Sequence, residues 1–254
     1  MTIDLHAKIN DLFEYRRLPE LIRLGNGGVM DQKFYDKLFD LQASIYFLDH
    51  TLETVWETEM DAVENHWKNI HHDLRVLGVA DEKLNLYSRH ILKYQKHELE
   101  LRKQKLPMRL SMEYFYFYKS CDVKLLRKLI YDKYPSLAKI YRLSDWRVFD
   151  LITEVNDDVE DVYEDLTTIN GNRFLLTILR DGVSAAGIEF SEFLHSLEGK
   201  LEGYGDVIDD MTVTAYKGTK QLLEERLSSL ELEHVQSAVI TNYITKFKKQ
   251  YRQV

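Results

Sequence analysis

The sequence predicts an all-α protein that forms a single domain over residues 1–254. Apolar residues recur at the three- and four-residue spacing of helices, and no segment shows the strict alternation of a half-buried strand. Only three prolines and eleven glycines interrupt the chain, which leaves room for many long helices. No repeat, low-complexity tract or long linker divides the chain, and 254 residues lie at the upper end for one domain.

Helix boundaries follow mainly from glycine and proline. The glycine-rich turn at 25–28 has no strand before it, so it predicts the end of a first helix and not a phosphate-binding loop. Pro107 and Pro135 bound an aromatic helix that lies between them. The pattern predicts helices, in chain order, over residues 2–24, 31–77 with an internal kink or break, 81–106, 109–134, 145–168, 172–181, 184–202, 206–230 and 231–252.

Composition restricts the classes of function. A hydrophobic content of 44% and a charged content of 30% are typical of a soluble globular protein. The net charge of −8 argues against nucleic acid or an anionic membrane surface as the main partner. No apolar run approaches the roughly 18 residues that span a membrane, and no secretory signal pattern opens the chain. The single cysteine, Cys121, fits a reducing compartment, so we expect a cytoplasmic protein.

The most informative segment is 154–165, which carries seven acidic side chains. On a helix, Asn156, Glu160 and Glu164 would form one oxygen-bearing stripe because they are spaced four residues apart. Hard oxygen ligands at this density suit Mg²⁺, although a solvated acidic face would explain the same residues. The other flank would carry Asp158, Asp161 and Asp165, and the buried side Val155, Val159, Val162 and Leu166.

This segment resembles the second metal motif of class I terpene synthases. Asn156 and Glu164 match that motif, and Glu160 stands where the family has a hydroxyl residue. Shifted by one residue, Asp157 to Asp161 resembles the DDxxD motif of trans-prenyltransferases and also the DxxED motif of squalene and phytoene synthases. All three groups belong to the isoprenoid synthase superfamily. The resemblance therefore implies a single helical bundle around a central cavity.

By this resemblance, such an enzyme holds its substrate diphosphate with three Mg²⁺ ions. It needs a second group of carboxylates, which faces the acidic segment across the cavity. The candidate is Asp49 with Glu53, which resembles the family's first motif, DDxxD/E, with His50 in place of the second aspartate. The predicted metal ligands are Asp49, Glu53, Asn156, Asp157, Glu160, Asp161 and Glu164.

Three further residues are candidates for the catalytic machinery. Tyr118 aligns with the arginine that senses diphosphate in terpene synthases, and the adjacent Lys119 would supply the positive charge instead. Arg252 lies beside Tyr251, which resembles the terminal Arg-Tyr pair of the family in reversed order. Aromatic residues of the same stretch would line a cavity that stabilises carbocations, or would simply form core: Tyr114, Phe115, Phe117 and Tyr118.

The resemblance predicts a Mg²⁺-dependent lyase that ionises an allylic prenyl diphosphate and cyclises or eliminates it to a terpene. A trans-prenyltransferase or a squalene- or phytoene-synthase-like enzyme is the alternative within the superfamily, and a homodimer is compatible with each. A di-iron bundle would use Glu192 with His195 and Glu231 with His234, the Glu-x-x-His pairs. A non-catalytic helical protein would use the acidic segment to bind a basic partner.

Overall fold

The computed structural model describes residues 5–55, 60–103, 105, 107–168, 171–200 and 206–230. Within these residues the chain forms eleven α-helices, with short 3₁₀ turns between some of them, and no β-strand, which confirms the predicted all-α class. No helix in these ranges is long and apolar enough to cross a membrane. The helices are α1 (Leu5–Tyr15), α2 (Leu18–Gly25), α3 (Gln32–Thr54), α4 (Met60–Val76), α5 (Leu84–Leu101), α6 (Met112–Lys119), α7 (Cys121–Lys133), α8 (Arg147–Glu160), α9 (Arg173–Asp181), α10 (Val183–Glu198) and α11 (Asp206–Ser229).

The helices pack as two compact units, each built from separated parts of the chain. The first unit is formed by the described residues of the ranges 1–95 and 120–144, and the second by those of the ranges 96–119 and 145–254. The single domain around one central cavity stays a prediction.

In the first unit, α1 and α2 replace the one helix predicted over 2–24. That prediction is wrong because Arg17 adopts a left-handed conformation, with φ of 60°, and Pro19 lies in the first turn of α2. Proline cannot continue a helix from the preceding turn, since it has no N–H and its ring collides with the carbonyl four residues earlier. The break is stabilised by a buried contact, because the Arg127 guanidinium of α7 donates to the Arg16 carbonyl at 3.0 Å.

Two other long predicted helices are also divided. The expected break within 31–77 is confirmed, since α3 ends at Thr54 and α4 begins at Met60. The uninterrupted helix predicted over 109–134 is wrong: Ser120, with φ of −68° and ψ of 29°, separates α6 from α7. As a result α6 belongs to the second unit and α7 to the first.

The second unit is organised around α8, against which α6, α9 and α11 pack. The predicted buried side is confirmed at all four of its positions, Val155, Val159, Val162 and Leu166. The predicted extent of 145–168 is wrong, because α8 ends at Glu160 and residues 161–164 form turns. Acidic side chains at the C-terminal end of a helix are unfavourable, because that end of the helix dipole is itself negative. The Arg226 guanidinium of α11 instead donates to the Val159 and Glu160 carbonyls at 3.2 and 3.1 Å.

We expect Gly25→Ala to destabilise the first unit. A Cβ at Gly25 would lie 2.6 Å from Cβ of Tyr134, a buried side chain, so the contact cannot relax cheaply. Overpacking of this kind costs about 1–3 kcal/mol, which urea denaturation would measure. Gly218→Ala is the matched control, because nothing lies within 4 Å of its added Cβ on α11. That change should stabilise the protein by about 0.5–1 kcal/mol. A loss equal to that of Gly25→Ala would contradict the packing described.

Candidate functional site

The most buried charge in the second unit is the carboxylate of Asp158, which has no exposed surface. It accepts hydrogen bonds from the Tyr116 hydroxyl and from the backbone N–H of Arg173, both at 2.8 Å. Lys119, the last residue of α6, forms an ion pair with its other oxygen. A buried carboxylate is tolerated only when it is paired and hydrogen-bonded. Asp158 therefore joins α6, α8 and the start of α9.

Asn172 extends this network to the surface. Its side-chain oxygen caps α9 by accepting from the N–H of Leu175 at 2.9 Å. Its amide group donates to the Asp158 carbonyl at 2.8 Å and to the Asp165 carboxylate at 2.7 Å. One buried side chain thus connects α8, α9 and the segment that follows α8.

Lys119 serves first as the counter-ion of Asp158. Burial lowers the pKa of Lys119, but the carboxylates of Asp158, Glu154 and Asp165 outweigh this effect, and the net pKa is raised well above its ordinary value. The ammonium therefore stays protonated. About a quarter of the side chain, 23%, remains exposed. Its predicted contact with a diphosphate stays a prediction, and any such contact would have to coexist with the ion pair.

The acidic turn comprises residues 157–165, which are the last residues of α8 and the turns that follow it. Partial burial and the nearby carboxylates of Asp165, Asp157 and Glu164 together raise the pKa of Asp161 to about 7, against an opposing effect of Lys119. A carboxyl group with this pKa exchanges its proton near neutral pH. The acidic turn is therefore a locally negative site that a cation would relieve.

The continuous stripe predicted for Asn156, Glu160 and Glu164 is wrong, because α8 ends at Glu160 and Glu164 lies beyond it. Asn156 is engaged on both sides: its amide donates to the Glu160 carboxylate at 3.2 Å, and its oxygen accepts from the Thr219 hydroxyl at 3.1 Å. Across the described ranges, no three acidic, histidine or cysteine side chains are arranged to hold a metal ion. The roles of these residues as ligands stay predictions.

The other predicted site residues lie apart from the acidic turn in the sequence. Asp49 and Glu53 occupy adjacent turns of α3 in the first unit, and Asp49 accepts a hydrogen bond from the Tyr94 hydroxyl at 2.6 Å. Arg252 lies outside the described residues.

Tyr118 packs as part of an aromatic cluster in the second unit. Its ring stacks on His97 with centroids 4.4 Å apart, and it meets Phe115 edge to face at 5.3 Å. Burial, followed by the nearby Glu98 carboxylate, raises the pKa of the Tyr118 hydroxyl above its ordinary value. The phenol is therefore neutral and does not act as a charged sensor.

Sequence reasoning missed Asp158, Tyr116, Asn172 and Arg173 as members of one network. A signal for Asp158 was present, because it follows Val155 by three residues and precedes Val162 by four. This spacing places it on the buried face of a helix. An acidic residue at such a position needs a cationic partner, and the sequence does not say which one.

The di-iron alternative finds no support in the described residues. Glu192 and His195 lie on α10, and the His195 side chain is 83% exposed. An iron ligand of a helical bundle would instead project into the core. Glu231 and His234 fall outside the described ranges.

Comparison of this chain with protein-family models, with curated protein sequences and with solved structures gives no significant match. Its function is therefore argued from the geometry and chemistry of the site.

We expect Lys119→Met to destabilise the protein by about 3 kcal/mol, because it leaves a buried carboxylate without its counter-ion. The double variant Lys119→Met/Asp158→Asn should recover most of that loss, since the neutral amide no longer needs a cation. Urea denaturation would measure both. Lys103→Met, which removes an exposed lysine of the same unit, is the control and should have little effect. Additive losses in the double variant would contradict the pairing.

We expect Asp161→Asn to flatten the pH dependence of stability. The folded-state pKa of about 7 lies above the ordinary value of 3.8, so the folded protein binds this proton more tightly. The resulting stabilisation is fully present below about pH 4 and is lost as pH rises to about 7. Thermal unfolding from pH 4 to 8 would show a steeper decline for the original protein than for the variant. Glu224→Gln, an exposed change on α11, should leave the decline unaltered.

Proposed function

We propose that the acidic turn binds Mg²⁺ together with the diphosphate of an allylic prenyl substrate, and that the protein ionises this substrate and converts it to a terpene by cyclisation or elimination. One observation carries the proposal: burial, followed by the neighbouring carboxylates of Asp165, Asp157 and Glu164, raises the pKa of Asp161 to about 7. Negative charge is thus concentrated at one exposed turn beside the buried polar network of Asp158 and Asn172.

The residues present fit a Mg²⁺ ion that is bound through two carboxylates and the substrate phosphates. Mg²⁺ usually keeps several waters and binds through one or two carboxylates plus substrate phosphates, so it does not need a closed protein cage. Asp157 and Asp161 could supply these two carboxylates, because the charge of Asp157 already acts on Asp161. Bound Mg²⁺ would supply positive charge that stabilises the departing diphosphate.

The buried network would hold these ligands in place. Asp158 is fixed by Lys119, Tyr116 and the N–H of Arg173, so the helix turn that carries Asp157 cannot rotate freely. Asn172 holds the carboxylate of Asp165 at the other end of the acidic turn. Positioning of this kind is what a site needs if its ligands are to act at the moment of bond cleavage.

The remaining site residues enter the proposal as further contributors. Asp49 and Glu53 would supply the second carboxylate group, and Arg252 would contact the diphosphate oxygens. Tyr118 would contribute an aromatic face and no charge, since its phenol is neutral. Lys119 would act on the diphosphate only at a distance through its charge, because Asp158 holds its ammonium group.

The engagement of Asn156 favours a second candidate chemistry. With Asn156 bonded to Glu160 and Thr219, and Glu164 beyond the helix, the pair Asp157 and Asp161 is better placed than the Asn-Glu-Glu stripe. That pair is the DDxxD or DxxED interpretation of the same letters. A prenyltransferase or a squalene- or phytoene-synthase-like reaction, which couples two prenyl chains, is therefore the alternative.

We expect Mg²⁺ and pyrophosphate together to raise the melting temperature more than either does alone, because each completes the other's binding site. Incubation with geranyl, farnesyl and geranylgeranyl diphosphates, read by mass spectrometry, would show whether products are cyclised or coupled. Asp157→Asn and Asp161→Asn should each lower turnover by about 10²–10³. Glu224→Gln should leave turnover unchanged.

The variants separate catalysis from stability. Asp161→Asn should remain folded and be at least as stable as the original protein at pH 7, since it removes carboxylate repulsion. Its loss of turnover would then be a loss of chemistry and not of fold. No joint stabilisation by Mg²⁺ and pyrophosphate, and no product from any of the three substrates, would refute the proposal and favour a non-catalytic helical protein.

A further inference from the structure

The first unit contains a cavity of 360 Å³ between α3, the connection from α4 to α5, and α7. Its apolar wall is formed by buried side chains from each of these segments, Phe34, Val79 and Leu129. Three lysines line the same cavity: Lys37, Lys83 and Lys133. A chain with a net charge of −8 therefore presents a cationic cavity far in sequence from the acidic turn.

The three ammonium groups are held differently. Lys37 donates to the Val76 carbonyl at 3.0 Å, which fixes its position without neutralising its charge. Lys133 pairs with Asp31 at 2.8 Å and lies 4.4 Å from the centre of the Phe34 ring. The side chain of Lys83 forms no hydrogen bond or ion pair with any residue in the described ranges, although its backbone N–H donates to the Ala80 carbonyl at 2.9 Å. Its charge is thus available to a ligand.

One carboxylate opposes these lysines inside the cavity. Asp132 accepts a hydrogen bond from the Tyr87 hydroxyl at 2.5 Å and pairs with Lys128 at 3.0 Å. Asp31 balances Lys133, and Lys128 balances Asp132, which leaves the charges of Lys37 and Lys83 without an ion-pair partner in the described residues. The cavity retains a net positive potential, which favours an anion.

The lining chemistry points to the class of anion. A phosphate monoester carries nearly two negative charges and three terminal oxygens, so it can meet several cations at once. Lysine binds phosphate as a point charge. The lysines share this cavity with an apolar part of the wall, to which Phe34, Val79 and Leu129 contribute. We propose that this cavity binds a small organic phosphate monoester, with the phosphate at Lys83, Lys37 and Lys133 and the apolar group against Phe34, Val79 and Leu129.

This site is independent of the proposed Mg²⁺ chemistry, and it can be tested without metal. Titration calorimetry of the full chain in EDTA, at low salt, would use phenyl phosphate and inorganic phosphate as probes. Phenyl phosphate should bind saturably and at least about tenfold more tightly than inorganic phosphate, because inorganic phosphate has no apolar group to contact the apolar wall. Added salt should weaken both, since the lysines lie near solvent.

Charge variants identify the site. Lys83→Ala should weaken phenyl phosphate binding about five- to tenfold. Lys33→Ala is the control, because Lys33 lies on α3 one turn from Lys37 and outside the cavity. Removing its charge should not change the affinity for phenyl phosphate. Asp132→Asn should strengthen binding about two- to fivefold, because it removes the opposing charge.

Three results would each overturn the proposal. The first is no saturable binding of phenyl phosphate at millimolar concentration. The second is equal weakening by Lys83→Ala and Lys33→Ala, which would mean non-specific attraction to surface lysines. The third is equal affinity for inorganic phosphate and phenyl phosphate, which would mean that the apolar wall takes no part. Circular dichroism of each variant would show that the fold is retained.

Discussion

The burial of one carboxylate, Asp158, is the constraint on which the second unit depends. A charge removed from water is costly unless it is fully paired, so Lys119, Tyr116 and the N–H of Arg173 must all converge on it. This requirement sets the end of α6 and the start of α9 against the last turn of α8. The arrangement resists sliding of these helices, because any shift would expose the carboxylate or leave it without partners.

The acidic turn shows how this constraint supports a site that is electrostatically unfavourable. Carboxylates gathered at the C-terminal end of a helix repel one another and oppose the helix dipole. The Arg226 guanidinium compensates the last carbonyls of α8, and Asn172 anchors Asp165 from the buried side. The remaining repulsion appears in the raised pKa of Asp161. Repulsion between carboxylates is the expected cost in stability of a site that binds a cation, since function and stability are commonly in opposition where charge must be preorganised.

The two units differ in the charge that they present. The second unit carries the acidic turn, whereas the first carries a cavity rimmed by Lys37, Lys83 and Lys133. The overall charge of −8 hides this contrast because it averages over the whole surface. Local potential, and not net charge, decides which ligand approaches which place. The two proposed sites would therefore select different ligands, a divalent cation with a diphosphate at the acidic turn and a phosphate monoester in the cavity of the first unit.

The sequence by itself determined the all-α class, the break between α3 and α4, and the buried side formed by Val155, Val159 and their neighbours. Each depends on spacing and propensity within a few turns of helix. The tertiary structure decided where α8 ends, because Arg226 lies 66 residues beyond Glu160. It also decided the role of Lys119, since Asp158 lies 39 residues away. Local sequence specifies which face of a helix is buried, but a buried charge acquires its partner only when distant segments pack together.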